Sequence, residues 1–77
     1  MSERRTISFR EFISGIKALG FVEVRRKGSH VRFEHADGRK TTVPDHGSKD
    51  VPIGLMRKII RHDLQMEVDD FLEQTDD

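Results

Sequence analysis

The strongest constraint on the fold is an alternation of apolar and polar residues in the middle of the chain. Residues 22–25 and 31–34 alternate with a period of two, which is typical of half-buried strands, and the Gly-containing stretch 26–29 separates them as a turn. The dipeptide Asp37-Gly38 is a strong signal for a second tight turn, and residues 39–43 follow it as a third strand. The sequence therefore predicts an antiparallel three-stranded meander with one apolar face and one charged face.

A helix is predicted before this meander. Ser8 and Glu11 have the spacing of a capping box, and Gly20 stands where a helix would end in a left-handed residue. Between these ends, apolar residues recur with the helical period: Phe9, Phe12, Ile13, Ile16 and Leu19. We therefore expect an amphipathic helix that packs its apolar side against the sheet.

Two further helices are predicted after the meander, one beginning near Pro52 and a short one beginning at Asp63. The first of them carries an apolar stripe made of Ile53, Met56, Ile59 and Ile60. The predicted fold class is α+β in the order α-β-β-β-α, with a three-stranded antiparallel sheet, helices on one face, and a short extra C-terminal helix.

Length and composition limit the class of protein. A chain of 77 residues is expected to form one domain over 1–77, with loosely held ends at 1–6 and 74–77. The absence of cysteine excludes disulfides and thiolate metal sites. No apolar run is long enough to span a membrane, and no apolar segment follows the polar start, so we expect a cytoplasmic protein without membrane contact.

The net charge of zero hides an asymmetry along the chain. All 14 Lys and Arg lie at or before Arg61 against 7 acidic residues, which gives +7, whereas residues 62–77 carry 7 acidic residues and no Lys or Arg, which gives −7. A basic body suggests a polyanionic partner such as nucleic acid, although an ordinary solvated surface explains the charge equally well.

His30 is the candidate reactive residue. It opens the second predicted strand, and it points to the charged face if Val31 and Phe33 point into the core. Its imidazole could exchange a proton with a ribose 2′-hydroxyl or with a leaving oxygen while nearby cations bind the phosphate. On spacing alone, a solvated strand histidine is the simpler interpretation. The nearby cations are Arg25, Arg26, Lys27, Arg32 and Lys40.

The four histidines do not have the spacing of a metal site. His30 and His35 are five residues apart along one predicted strand and would therefore face opposite sides. A glycine-rich phosphate loop is also absent from the sequence. We therefore predict neither a metal nor a cofactor.

Several short motifs follow one another in a recognisable order: Gly20-Phe21-Val22, Arg26-Lys27-Gly28-Ser29-His30, Asp37-Gly38-Arg39, Thr42-Val43-Pro44-Asp45-His46-Gly47 and Leu55-Met56-Arg57-Lys58-Ile59-Ile60. From about Phe9 to Ile60, this combination resembles the HicA (YcfA-like) toxins of bacterial toxin–antitoxin modules. The resemblance implies a double-stranded-RNA-binding-like fold, mRNA interferase activity and inhibition by a HicB-type antitoxin. It also implies that the functional residue is the histidine of the Gly-Ser-His motif, which is His30.

The predicted function is therefore that of a toxin, a metal-independent endoribonuclease that cleaves mRNA by acid-base chemistry at His30. The second acid or base is open between His46, Lys27, a substrate phosphate oxygen and water. The predicted RNA contacts are Arg25, Arg26, Lys27, Ser29 and Arg32. Two alternatives remain: a noncatalytic module that recognises A-form RNA by shape, and a structural domain whose polar sheet face binds a protein.

Overall fold

The protein, seen in a computed structural model, is described over residues 6–75. Its elements are α1 (Phe9–Ala18), β1 (Val22–Lys27), β2 (His30–Glu34), β3 (Lys40–Pro44), α2 (Ile53–Lys58), a π-helical turn (Ile59–Asp63) and α3 (Val68–Thr75). The sheet is antiparallel in the order β1-β2-β3. This arrangement confirms the predicted α+β class. Of the ends predicted to be loose, residues 1–5 and 76–77 lie outside the described residues.

Both predicted ends of α1 are confirmed. Ser8 Oγ accepts a hydrogen bond from the Glu11 amide at 3.1 Å, and Glu11 Oε1 accepts one from the Ser8 amide at 3.0 Å, which completes the capping box. At the other end, Gly20 adopts a φ of 102°, and the Phe21 amide donates to the Ile16 carbonyl at 3.4 Å. This is a Schellman cap, and it turns the chain from α1 into β1.

The helices cover one face of the sheet, as predicted. Val31, Phe33 and Val43 are fully buried and alternate along β2 and β3 with residues that keep contact with solvent. On the helical side, the rings of Phe12 in α1 and Phe71 in α3 meet edge to face with their centroids 5.3 Å apart. The core therefore lies between this face of the sheet and the helices, and the opposite face is left open.

Strand β1 departs from the prediction. All its residues are exposed, and Val22 and Val24 keep 62% and 50% of their surface. The pairing with β2 shifts register between Glu23 and Arg25, so Val24 is the extra residue of a β-bulge. The prediction of a half-buried strand at 22–25 is wrong because the bulge breaks the alternation on an edge strand that the helices do not cover.

The first hairpin turn is shorter than predicted. β1 continues to Lys27 and β2 begins at His30, so Gly28 and Ser29 alone form the turn, and not the whole stretch 26–29. Gly28 has a φ of 61°, a left-handed conformation that glycine adopts without steric cost. His30 is nevertheless the first residue of its strand, where the sequence placed it.

The C-terminal part contains a π-helical turn, Ile59–Asp63, that continues α2. The Leu64 amide donates to the Ile59 carbonyl at 2.9 Å, five residues back, which is the π-helical hydrogen bond. Because of this turn, α3 begins at Val68, and the predicted start at Asp63 is wrong. No helix within residues 6–75 is both long and apolar enough to cross a membrane.

Candidate functional site

The open face of the sheet brings His30 together with several of the predicted RNA contacts. His30 lies opposite Lys27 on β1 and opposite Pro44 on β3, and Arg25 lies opposite Arg32 two pairs further along β1 and β2. Side chains that are directly opposite each other in a sheet share a face. Because Val31 points into the core, these residues point away from it. The side chains of Arg25, Lys27, His30 and Arg32 therefore form one exposed surface, the His30 face.

Arg26 lies on the other side of the sheet. It pairs with the buried Val31, so its side chain leaves β1 toward the helices. There its guanidinium approaches Asp45 at 3.3 Å and Glu23 at 3.6 Å. The structure thus separates Arg26 from His30, although the two residues lie on the same hairpin. The pairing register decides this, and the register was not evident from the sequence.

Ser29 contributes its backbone rather than a side-chain contact. Its carbonyl accepts a hydrogen bond from the Asp45 amide at 2.6 Å, which ties the β1–β2 turn to the loop after β3. His30 follows directly in the chain and has its own partner, Pro44, on β3. The backbone at His30 is therefore held from both neighbouring strands.

Asp45 is a supporting residue that sequence reasoning missed. Its Oδ1 accepts from the Gly47 amide at 3.1 Å, and its Oδ2 accepts from Arg26 Nη2 at 3.3 Å. The Gly47 hydrogen bond is the main cause that lowers the pKa of Asp45, partial burial opposes it, and the Arg26 bond and charge lower the pKa further. The Asp-x-Gly order after a strand is a local signal for such a turn. This turn holds the loop that anchors Ser29.

The His30 imidazole is exposed, and no hydrogen bond joins it to another side chain within residues 6–75. The face around it is cationic, with Lys40 adding to the arginines and lysine of β1 and β2. Glu34 is also on this face, where it meets Arg32 at 3.7 Å in an exposed ion pair. Such pairs are weak in water, so the cations remain able to bind an anion. The arrangement can bind a phosphate beside an imidazole.

Lys27 and His46, the two side chains considered as a second acid or base, lie in different places relative to His30. Lys27 is the cross-strand neighbour of His30 on the same face. His46 instead packs its ring edge to face against Phe9 at the start of α1, with centroids 5.0 Å apart. Lys27 is therefore the side chain of the two that the sheet holds beside His30.

The side chain of His35 is half-buried and packs against other residues of the fold. It follows the end of β2, its ring packs against Phe21 at 5.0 Å, and its Nε2 lies 3.1 Å from the Leu19 carbonyl. The Asp37 amide nitrogen and Asp37 Oδ1 each lie 3.1 Å from its Nδ1, so both ring nitrogens have polar neighbours. Within residues 6–75, no group of three or more His, Cys, Asp or Glu side chains is arranged to hold a metal.

A small α+β domain with an exposed imidazole on a cationic sheet face has the surface chemistry that suits a polyanionic ligand. Comparison with known proteins gives the family. The model of the HicA toxin of bacterial toxin–antitoxin systems matches residues 9–63. The "Probable mRNA interferase HicA" of Pseudomonas fluorescens (strain Pf0-1) is 34% identical over 55 residues, which cover 71% of this chain and 90% of that protein. The chain belongs to the HicA toxin family, as predicted, and both findings support endoribonuclease activity.

The family match ends at residue 63, and α3 lies beyond it. Phe71 of α3 is nevertheless fully buried against Phe12 of α1, on the helical side of the sheet. On that helical side, α3 also carries three exposed acidic residues, Asp69, Asp70 and Glu73. Within the described residues, the acidic end of the chain therefore leaves the His30 face uncovered.

Proposed function

We propose that this HicA toxin cleaves mRNA without a metal, by acid-base chemistry at His30, and that a HicB-type antitoxin neutralises it. The observation that carries the proposal is the position of His30. It is the first residue of β2 and is exposed, and it lies opposite Lys27 and two pairs along the strands from Arg25 and Arg32. An imidazole exchanges protons near neutral pH, and the neighbouring cations supply the charge that a phosphodiester needs.

The chemistry follows from these groups. His30 accepts the proton of a ribose 2′-hydroxyl, the 2′-oxygen forms a bond to the adjacent phosphorus, and the bond from phosphorus to the 5′-oxygen breaks. The leaving 5′-oxygen takes a proton from Lys27 or from water. Arg25 and Arg32 stabilise the charge that develops on the phosphate oxygens in the transition state. The products are a 2′,3′-cyclic phosphate and a 5′-hydroxyl.

The proposed antitoxin acts by covering this face. Membership in a toxin–antitoxin family supports the existence of a protein partner. The sheet face around His30 is open in the described residues, so a protein bound there would bury the imidazole and exclude RNA. We expect inhibition by a cognate HicB-type protein to be competitive with RNA, as measured by the effect of RNA concentration on the degree of inhibition. Unchanged RNA binding by the toxin–antitoxin complex would contradict occlusion.

One observation favours the alternative of a noncatalytic RNA-binding module. No side chain within residues 6–75 is hydrogen-bonded to His30, so nothing orients its ring as the third member of a triad would. A cationic face without proton transfer would bind RNA phosphates and 2′-hydroxyls but leave the strand intact.

Purified protein in excess EDTA separates the two functions. If the protein cleaves RNA under these conditions and His30→Ala abolishes the cleavage, the result supports the enzymatic function. Equal RNA binding by both proteins, with cleavage by neither, supports the binding module. The replacement is not expected to unfold the domain, because an exposed strand residue buries little surface.

A further inference from the structure

A groove between α1 and β1 lies on the helical side of the sheet, away from the His30 face. It has a volume of about 360 Å³ and is lined by Arg10, Ser14 and Lys17 from α1 together with Arg26 from β1. The three residues from α1 are separated by four and three positions, so they project from one side of the helix. Ile13 adds an apolar wall to the groove.

The groove is cationic. Arg10, Lys17 and Arg26 line it together with a single carboxylate, that of Asp45, which leaves a net charge of +2 from three positive and one negative side chains. Asp45 is already bonded to Arg26 and to the Gly47 amide. Within residues 6–75, neither Arg10 nor Lys17 has a carboxylate within ion-pair distance, although the charge of Arg10 does contribute to the lowered pKa of Asp45. Both side chains can therefore bind a ligand in the groove.

The groove lies close to the β1–β2 turn, which leads to the His30 face. Asp45, which lines the groove, donates its amide to the Ser29 carbonyl at 2.6 Å, and Ser29 precedes His30. Arg26, at the groove, is followed by Lys27, which lies opposite His30. Arg26 and Lys27 are adjacent in β1, so their side chains place one cation on each face of the sheet at this edge.

We propose that this groove is a second phosphate-binding site, which holds the backbone of the same RNA strand at a nucleotide beyond the bond that His30 cleaves. The inference rests on the proposed function. Arg10 and Arg26 have guanidinium groups that can bind a phosphate with two parallel hydrogen bonds, and Lys17 adds a mobile ammonium group. The Ser14 hydroxyl is a further donor, and Ile13 offers an apolar surface to a ribose. An RNA strand would pass from the His30 face over the Gly28-Ser29 turn into the groove.

The test removes two of the three positive charges of the groove with Arg10→Gln and Lys17→Gln together. Arg57→Gln and Arg61→Gln, which lie outside the groove on α2 and the π-helical turn, are the matched control with the same change of charge. Both pairs are made in the His30→Ala protein, so that binding is measured without cleavage. All the replaced side chains are exposed, and Gln has nearly the helix propensity of Arg and Lys, so folding should be retained and is checked by thermal melting.

Affinity is measured for a single-stranded RNA of about twenty nucleotides at several salt concentrations. Loss of two phosphate contacts should reduce the slope of log affinity against log salt by about 1.4, since each contact on a single strand contributes about 0.7. Between 50 and 200 mM salt, this difference in slope corresponds to about a sevenfold change in relative affinity. The control pair should change the slope by much less. An equal effect of both pairs would overturn the proposal, because the groove would then act only through net charge.

A short substrate separates this proposal from the proposed function. A dinucleotide contains only the phosphate to be cleaved, so it cannot reach the groove. With His30 intact, the Arg10→Gln, Lys17→Gln protein should cleave the dinucleotide at the wild-type rate and the longer RNA less efficiently. If the Arg10→Gln, Lys17→Gln protein cleaves both the dinucleotide and the longer RNA as efficiently as the wild type, only the proposal of the groove is overturned. If the wild-type protein cleaves no RNA, the proposed enzymatic function is overturned. Unchanged RNA affinity with weakened antitoxin binding would assign the groove to a protein and also overturn the proposal.

Discussion

Lys27 and His30 lie directly opposite each other at the end of the β1–β2 hairpin, with only Gly28 and Ser29 between them in the chain. Their side chains share the open face of the sheet, whereas Arg26, one residue earlier, points to the helical side. A tight two-residue turn thus places a lysine and a histidine side by side on one face of the sheet. The consequences of this arrangement can be tested by mutation.

His30→Ala is expected to lower the rate of RNA cleavage by a factor of about 10² to 10⁴, the usual contribution of general acid-base catalysis. RNA affinity should change little, because the surrounding cations supply most of the attraction. His30→Gln keeps hydrogen-bonding groups but cannot exchange a proton near neutral pH, so it should be as inactive as Ala. The measurement is single-turnover cleavage alongside binding, with growth arrest on expression as a cellular readout. Wild-type cleavage by purified His30→Ala protein would refute the catalytic assignment.

Lys27→Gln is expected to weaken RNA binding in a salt-dependent manner. Removing one phosphate contact should reduce the slope of log affinity against log salt by about 0.7 for single-stranded RNA. The control is Arg57→Gln, which removes the same charge from α2. If Lys27 also donates the proton to the leaving oxygen, Lys27→Gln will lower the cleavage rate at saturating RNA, which weaker binding alone would not do. An unchanged salt slope would remove Lys27 from the RNA contacts.

Phe33→Ala is expected to cost about 3 to 5 kcal/mol of unfolding free energy, because it removes a fully buried ring from the central strand. This is close to the whole stability expected of a core in so small a domain. Val24→Ala on the edge strand should change stability by less than about 0.5 kcal/mol, because Val24 is half exposed at a bulge. Urea or thermal unfolding measures both. Similar costs at the two positions would show that the observed register is incorrect.

Asp45→Asn is expected to destabilise the domain by less than about 1 kcal/mol near neutral pH, as for other partly exposed ion pairs. The Gly47 amide and Arg26 lower the pKa of Asp45 in the folded state below its ordinary value. The ionised carboxylate therefore stabilises the fold above that value, and the contribution is lost as the pH falls through the lower folded pKa. The difference in stability between wild type and Asp45→Asn should be constant near neutral pH and shrink in acid. A difference that grows in acid would contradict the assigned contacts.

The sequence by itself determined the features that depend on residues close together in the chain. The capping box of Ser8 and Glu11 and the left-handed Gly20 set both ends of α1, because their hydrogen bonds span only a few residues. The alternation in 31–34 predicted the buried side of β2, since Val31 and Phe33 must share one face. The position of His30 at the start of that strand follows from the same local pattern.

Only the tertiary structure decided how β1 pairs and what surrounds the site. The bulge at Val24 and the cross-strand partner of Arg26 depend on hydrogen bonds between strands, and a register is a long-range property that a single-strand pattern does not specify. The contact of Asp45 with Ser29 joins residues far apart in the sequence. For the same reason, the division of the cations between the His30 face and the groove beside α1 became visible only when the sheet was assembled against its helices.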